Sequence, residues 1–292
     1  MRVRNVVAGA AIGTILGITV SRARRWWLTW GIETDEKTKA LAGDDVVTVP
    51  VASETRGITI DATPEDVWPW LVQMGFARAG WYSYDRLDQR GKSVDGIVAE
   101  WQTLKVGDIM PTHPGGGFEV VAIEPGRSLV LRSDTALVAA QAAAAEAATK
   151  AKAKVAPSET GTEDESVPAG LQASGAILGA TPQQFSASWA FVLEPLPGGR
   201  TRLIERFRVW YGESGFGSHV VMPVVGFGVF VMLQKQMIGI KARAERTARE
   251  RAGSPATSFP VAAATTGEPM ATVKNGRDKH AEEPELVTAT VG

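Results

Sequence analysis

The chain of 292 residues contains no cysteine. That excludes a disulfide framework, thiol catalysis and thiolate metal sites. Histidine is nearly as scarce: His113, His219 and His280 are the three, and no two fall at ligand spacing, so no metal site is expected. Neither sign of charge is in excess. Lys plus Arg number 31 against 32 Asp plus Glu, so there is no basic footprint for nucleic acid and no such partner is expected. The run Gly115-Gly116-Gly117 lacks both a following Gly-Lys-Ser/Thr and Rossmann spacing. It is no phosphate loop, and no cofactor is expected.

Aromatic residues are absent from 133–183, where 16 of 51 positions are Ala, and only Phe259 occurs in 252–292. The first stretch reads as an insert and the second as a disordered tail. Setting these and the first 54 residues aside leaves 146 residues, 55–132 and 184–251, enough for one domain with a core. Hydrophobic residues at 44% and charged residues at 22% are ordinary for a folded protein. The expected organisation is therefore an N-terminal hydrophobic helix at 1–30, a polar lead-in at 31–54, a domain over 55–250 interrupted by 133–183, and a tail from 251.

Residues 5–21 carry no charge and are flanked by Arg2 and Arg4 on one side and Arg22, Arg24 and Arg25 on the other. Seventeen residues is the lower edge for a bilayer span. Gly9, Gly13 and Gly17 share one helix face, a spacing that lets membrane helices approach closely. Trp26, Trp27 and Trp30 follow where an interfacial aromatic belt would lie. A single membrane anchor is expected at 5–21, with the adjoining basic cluster placing the domain on the cytoplasmic side. A helix packed on the domain and a cleaved signal peptide are the alternatives; no clear A-x-A site supports the latter. Val220–Leu233, with Pro223 inside, is too short to span alone.

Within the domain, Ile58 and Ile60 alternate in a short strand over 56–62. Thr63-Pro64-Glu65-Asp66 then opens a helix running to about Met74: Thr at the N-cap, Pro at the first turn and two acids at the positive end. Pro69 should kink it and Gly75 stop it. Phe118–Ile123 and Leu129–Arg132 flank Pro125-Gly126, a type II turn signal, and form a hairpin. Ala136–Lys154 has high helix propensity but no apolar stripe. Trp189, Phe191 and Leu193 alternate with polar and small residues, Pro197-Gly198-Gly199 turns the chain, and Leu203, Phe207 and Val209 continue the pattern as a long antiparallel hairpin. A helix follows from about Val220 to Arg249. Its stripe of Met237, Ile240 and Ala244 leaves Lys235, Lys241 and Arg243 on other faces.

The segment Ile58-Thr-Ile-Asp-Ala-Thr-Pro-Glu-Asp-Val-Trp-Pro-Trp-Leu-Val-Gln-Met-Gly75 resembles the opening of the START-like, polyketide cyclase/dehydrase (SRPBCC) superfamily. Tyr82-Ser-Tyr-Asp85, Glu100-Trp-Gln-Thr-Leu-Lys-Val-Gly-Asp108 and Ser188-Trp-Ala-Phe-Val-Leu-Glu-Pro195 are similar to a bacterial subgroup of it. Phe230-Val-Met, Gly239-Ile-Lys and Trp30-Gly-Ile-Glu-Thr-Asp-Glu36 extend the likeness. The resemblance spans about 26–132 and 184–248. It implies an α+β helix-grip fold, a curved antiparallel sheet wrapped on a long C-terminal helix around an apolar cavity. It says little about function, because the superfamily holds cyclases, lipid carriers, quinone-binding proteins and hormone receptors.

Glu205 shares a face with Leu203 and Phe207. If that face is concave, a carboxylate points into an apolar cavity, suited to proton transfer or to binding a ligand hydroxyl; the alternative is that it is paired with an Arg of a neighbouring strand, such as Arg132, or lies near the sheet edge. Tyr82, Tyr84 and Asp85, beside Trp81, offer hydrogen bonds to a ligand or satisfy their own loop. Trp68, Trp81, Trp101, Trp189 and Phe207 are candidate lining residues. His113, before the glycine run, is either an acid–base group at a rim or a surface residue. No nucleophile or metal set stands out, which favours a binding module over an enzyme. The leading expectation is a membrane-tethered domain holding an apolar small molecule or lipid. A cyclase- or dehydratase-type enzyme using Glu205 with Tyr82 or Tyr84 is the second reading. An interaction protein with a self-filled cavity is the third.

Overall fold

The computed structural model describes residues 26–88, 91–155, 184–212 and 216–253. The expected anchor at 5–21, the insert beyond 155 and the tail beyond 253 lie outside the described residues. The fold is α+β, as the sequence predicts. Six strands form one antiparallel, curved open sheet: β1 (Ala52–Ile60), β2 (Ile109–His113), β3 (Gly116–Glu124), β4 (Ser128–Asp134), β5 (Phe185–Leu196) and β6 (Arg200–Tyr211), in the spatial order β1-β6-β5-β4-β3-β2. Helices α1 (Pro64–Val72), α2 (Asp85–Asp88), α3 (Thr135–Val155) and α4 (Phe216–Gly253) complete it. The 38-residue α4 and α1 pack on the inner face of the sheet, which is the helix-grip arrangement.

Strand pairing follows the apolar alternation. Across the β5–β6 hairpin Trp189 faces Phe207, Phe191 faces Glu205 and Leu193 faces Leu203. A slip of one residue would turn all six outward. Gly198 and Gly199 close the hairpin at φ 80° and 69°, a conformation that costs a side-chain-bearing residue strain. The β3–β4 turn is as its Pro-Gly pair predicts: Gly126 has φ 74°, and the Arg127 amide donates to the Glu124 carbonyl at 2.9 Å. Trp189, Phe191, Leu203, Trp70, Met237 and Ile240 meet in one buried cluster between sheet and helices. Each such side chain contributes about 1.5–3 kcal/mol on leaving water.

One local detail differs from expectation. The Thr63 side chain does not cap α1; its hydroxyl donates to Asp66 Oδ2 at 3.1 Å, while the Thr63 carbonyl accepts the Asp66 and Val67 amides. Arg243, off the Met237, Ile240 and Ala244 stripe, still reaches the rest of the domain. Its guanidinium lies 4.6 Å over the Tyr82 ring and its Nε donates to the Val94 carbonyl at 3.0 Å. Further along α4, Arg246 donates to the Asp95 carbonyl at 2.6 Å and Arg251 pairs with Asp66 at 2.6 Å, so these cations tie the helix to the domain.

The lead-in is more than a polar connector. Residues 31–51 lie over the outer face of β6, where period two places Arg202, Arg206 and Arg208. Glu36 holds Arg202 through two bonds of 2.6 and 2.7 Å. Asp44 pairs with Arg206 at 2.7 Å and Arg208 at 2.9 Å, and the carbonyls of Gly31, Glu36, Lys39 and Val47 take further guanidinium N–H groups. Burial alone would push the Glu36 carboxyl up; the Arg202 guanidinium and the Glu33 amide outweigh it and hold the carboxyl below its ordinary range.

The insert leaves the sheet at one point. Thr135 Oγ1 accepts the Phe185 amide at 2.8 Å, so the start of α3 adjoins the start of β5. Gln141 on α3 clasps the edge of β3, giving to the Gly117 carbonyl at 3.1 Å and taking its amide at 3.0 Å. Otherwise α3 is mostly exposed, as its lack of an apolar stripe requires.

Candidate functional site

Glu205 sits in the middle of the inner face and is fully buried. The Trp189 indole N–H donates to its Oε1 at 2.8 Å, while Oε2 has no protein partner. The expected alternative, a clamp by Arg132, is not what the fold provides: Arg132 pairs with Glu119 at 2.7 Å and lies near Asp134. The neighbouring cation is Arg56, directly opposite Glu205 in the β1–β6 register. Arg56 is also fully buried; it pairs through Nη2 with Glu54, and its guanidinium lies 5.6 Å from the Phe230 ring centre. Its Nε and Nη1 have no acceptor. Burial pushes the Glu205 carboxyl above the usual carboxylate range, against the downward pull of Arg56 and the Trp189 N–H.

Aromatic groups surround this polar pair. Trp81 stacks on Trp189 at 5.4 Å, and Phe118 meets the edges of Trp189 and Phe207 at 5.6 and 6.4 Å. The wall is sealed at Leu203 and Phe191 but reached by solvent at Phe118, Phe207 and Ile58, whose side chains are only partly buried. Next to the fully buried Glu205 and Arg56, the row continues to Phe207 and Glu54, which are only partly buried.

Of the sequence-derived candidates, the structure brings together Glu205, Trp189, Phe207 and Trp81. Tyr82 belongs to a different arrangement. It is buried at φ 56°, its hydroxyl accepts Gln73 Nε2 at 2.9 Å and donates to the Trp70 carbonyl at 3.2 Å, and its ring lies under Arg243. Burial pushes its phenol up, so it holds its proton. Asp85 accepts Ser93 Oγ at 2.6 Å, and Ser93 Oγ in turn accepts the Tyr82 amide at 3.1 Å, a chain that fixes the loop. Tyr84 is 41% exposed. Trp68 on α1 and Trp101 in a 3-10 turn (Ala99–Trp101) pack against the edge of the core. His113 is exposed at the end of β2.

Sequence reasoning missed Arg56 and Glu54. The signal was present: Arg56 has the same parity as Ile58 and Ile60, so a strand begun two residues earlier puts both charges on the inner face. Trp70 Nε1 and Gln236 Oε1 are two more buried polar atoms without a protein partner, on the helices that cover the sheet.

At one end of the domain, Trp26 packs edge-on against Phe230 at 5.3 Å and Trp27 against Phe227 at 5.2 Å. Trp26, Phe227 and Val229 remain 56%, 45% and 42% exposed. Among the described residues no helix is long and apolar enough to cross a membrane.

No family model matches the chain, and no curated protein matches it. Solved structures do. A hypothetical protein from Helicobacter pylori is 12% identical, over 73% of this chain and 99% of that one, with a TM-score of 0.39. A conserved protein from Geobacillus kaustophilus is 13% identical, over 67% and 97%, with a TM-score of 0.35. The Aha1 dimer from Colwellia psychrerythraea is 15% identical, over 65% and 98%, with a TM-score of 0.28. At these identities and scores the likeness carries no ligand, activity or partner across.

Proposed function

We propose that this chain is a START-like, SRPBCC-type binding module that holds an apolar small molecule or lipid against the inner face of the sheet, tethered to a membrane by residues 5–21. The observation that supports it is the polar centre of that face. Glu205 Oε2 and Arg56 Nε and Nη1 are buried without protein partners on an otherwise aromatic and aliphatic wall. Leaving such atoms unpaired costs about 1–3 kcal/mol each, which a bound polar group would offset. The partly exposed Phe118, Phe207 and Ile58 are the surface an apolar body would cover. The enzymatic reading loses its second acid–base group, because the Tyr82 hydroxyl is committed to Gln73 and Trp70 and Tyr84 is exposed. The tether rests on the charge-free stretch at 5–21 and on the exposed apolar surface of Trp26, Phe227 and Val229.

The test is native mass spectrometry of the full-length protein, extracted from its own cells in a mild nonionic detergent. A stoichiometric non-covalent apolar adduct is expected. The bare chain mass in every preparation would favour the third reading, an interaction protein whose interior is filled by its own side chains.

A further inference from the structure

We infer that the molecule held at this site ends in an uncharged hydroxyl group, and that the site discriminates against carboxylate-ended amphiphiles of the same length. The inference rests on the binding reading above and adds the chemistry of the ligand's polar end.

Three charged side chains share the inner face. The β1–β6 register puts Arg56 opposite Glu205, and Glu54, two residues along β1, opposite Phe207. Arg56 already pairs with Glu54 through Nη2, and its cation lies against the Phe230 ring. Two carboxyl groups therefore face one guanidinium before any ligand arrives. A carboxylate-ended ligand would be a third acid beside a single cation, in surroundings where like charges are poorly screened. Either it or Glu205 would have to take up a proton. A fatty acid anion is thus the wrong charge for a wall that offers it N–H donors.

The unpaired atoms specify the alternative. Arg56 Nε and Nη1 are donors that lack an acceptor, and Glu205 Oε2 is an acceptor that lacks a donor. The carboxylate of Glu205 is already oriented, because the Trp189 indole holds Oε1 at 2.8 Å. A hydroxyl can accept from one Arg56 N–H and donate to Glu205 Oε2, pairing a group on each side. An ester or ketone oxygen can accept from one Arg56 N–H but leaves Glu205 Oε2 unpaired unless Glu205 is protonated. A site built to pair a ligand hydroxyl rejects the analogue that lacks it more strongly than an apolar wall distinguishes chain lengths. With the hydroxyl at Glu205 and Arg56, the apolar body would extend over Phe207 and Phe118, the partly exposed part of the wall.

The experiment presents the full-length protein, in nonionic detergent micelles, with 1-decanol, methyl decanoate and decanoate at equal micellar mole fraction at pH 7.5. Adduct occupancy is read by native mass spectrometry. The alcohol is expected to occupy the protein at least tenfold more strongly than the acid, with the ester between them. In Glu54→Gln, where Arg56 loses its counter-charge, the acid should gain at least tenfold relative to the alcohol. The wild-type ranking stands even if that variant does not fold. Decanoate binding as well as or better than 1-decanol to the wild-type protein would overturn the inference. So would absence of all three adducts from a protein that retains a co-purifying apolar molecule, an outcome that leaves the binding reading intact. If nothing co-purifies and none of the three binds, both readings fall.

Discussion

Replacing Glu205 with Gln isolates the cost of a carboxyl on the inner face. The amide oxygen can keep the 2.8 Å bond from the Trp189 indole, so packing and orientation are preserved. The amide nitrogen replaces Oε2, which has no partner, and this leaves a buried donor unpaired at a cost of about 1–3 kcal/mol. That cost does not vary with pH. The wild-type carboxyl behaves differently, because burial raises its pKa above the unfolded value. Below the unfolded pKa both states are protonated and wild-type Glu205 carries no ionisation penalty. As pH rises through that value the unfolded chain releases its proton first, and the native state loses about 1.4 kcal/mol for each unit by which the folded pKa is raised. Once pH exceeds the folded pKa the loss is complete. At pH 4 the protonated Oε2 of wild-type Glu205 is itself a buried donor without a protein partner, so the two proteins are expected to differ little there, and Glu205→Gln is expected to gain stability relative to wild type as pH rises to 8. Glu36 works in the opposite direction, since its lowered pKa takes stability away in acid, but it does so in both proteins and cancels in the difference. Urea unfolding of both proteins, followed by near-ultraviolet circular dichroism from pH 4 to 8, measures the gap. A gap that stays constant across that range would refute the reasoning.

Further outcomes follow from the outer face, the α4 contact and the insert. Glu36→Ala leaves Arg202 buried without its carboxylate and should destabilise the domain by about 3–5 kcal/mol, a fall in Tm of about 10 °C by calorimetry. Gly239→Ala would place a methyl group 2.2 Å from the Tyr82 carbonyl oxygen, so α4 must move, and thermal unfolding should fall by several degrees although helix propensity improves. Deleting 136–180 and bridging with a short Gly/Ser linker should leave one cooperative unfolding transition, because Thr135 and Phe185 are already hydrogen-bonded neighbours; a lost transition would make the insert part of the core. Full-length protein should remain in carbonate-washed membranes while a chain beginning at Arg22, which keeps Trp26 and Trp27, is released; equal retention would locate the attachment elsewhere, with the apolar start of α4 the first place to look.

The β5–β6 hairpin was legible because a single parity of apolar residues runs through both strands, and the same parity turned Glu205 inward. Local turn chemistry was legible at Pro125-Gly126, where a positive φ is required. What escaped were features that need distant partners. The 31–51 segment is held by Glu36 on Arg202 and by Asp44 on Arg206, pairs separated by more than 160 positions, so its polarity resembled that of a connector. Tyr82 looked like a ligand donor because nothing local reveals that Gln73 and the Trp70 carbonyl saturate its hydroxyl. Arg56 escapes for a different reason: the apolar alternation is carried by Ile58 and Ile60, and a cation before them has, beyond its parity, no local mark of belonging to the inward row, although β1 starts at Ala52.

The most direct test of ligand binding on the inner face is fluorine NMR of the full-length protein labelled with 5-fluorotryptophan. Assignment uses single Trp→Phe variants, and 1-decanol or the co-purified molecule is titrated in. Trp189 is bonded to Glu205, and Trp81 is stacked on it, whereas Trp26 and Trp210 are exposed. Saturable shifts of the Trp189 and Trp81 resonances, with Trp210 unmoved, are expected. Shifts confined to Trp26 and Trp210, with Trp189 unchanged at saturation, would contradict the account.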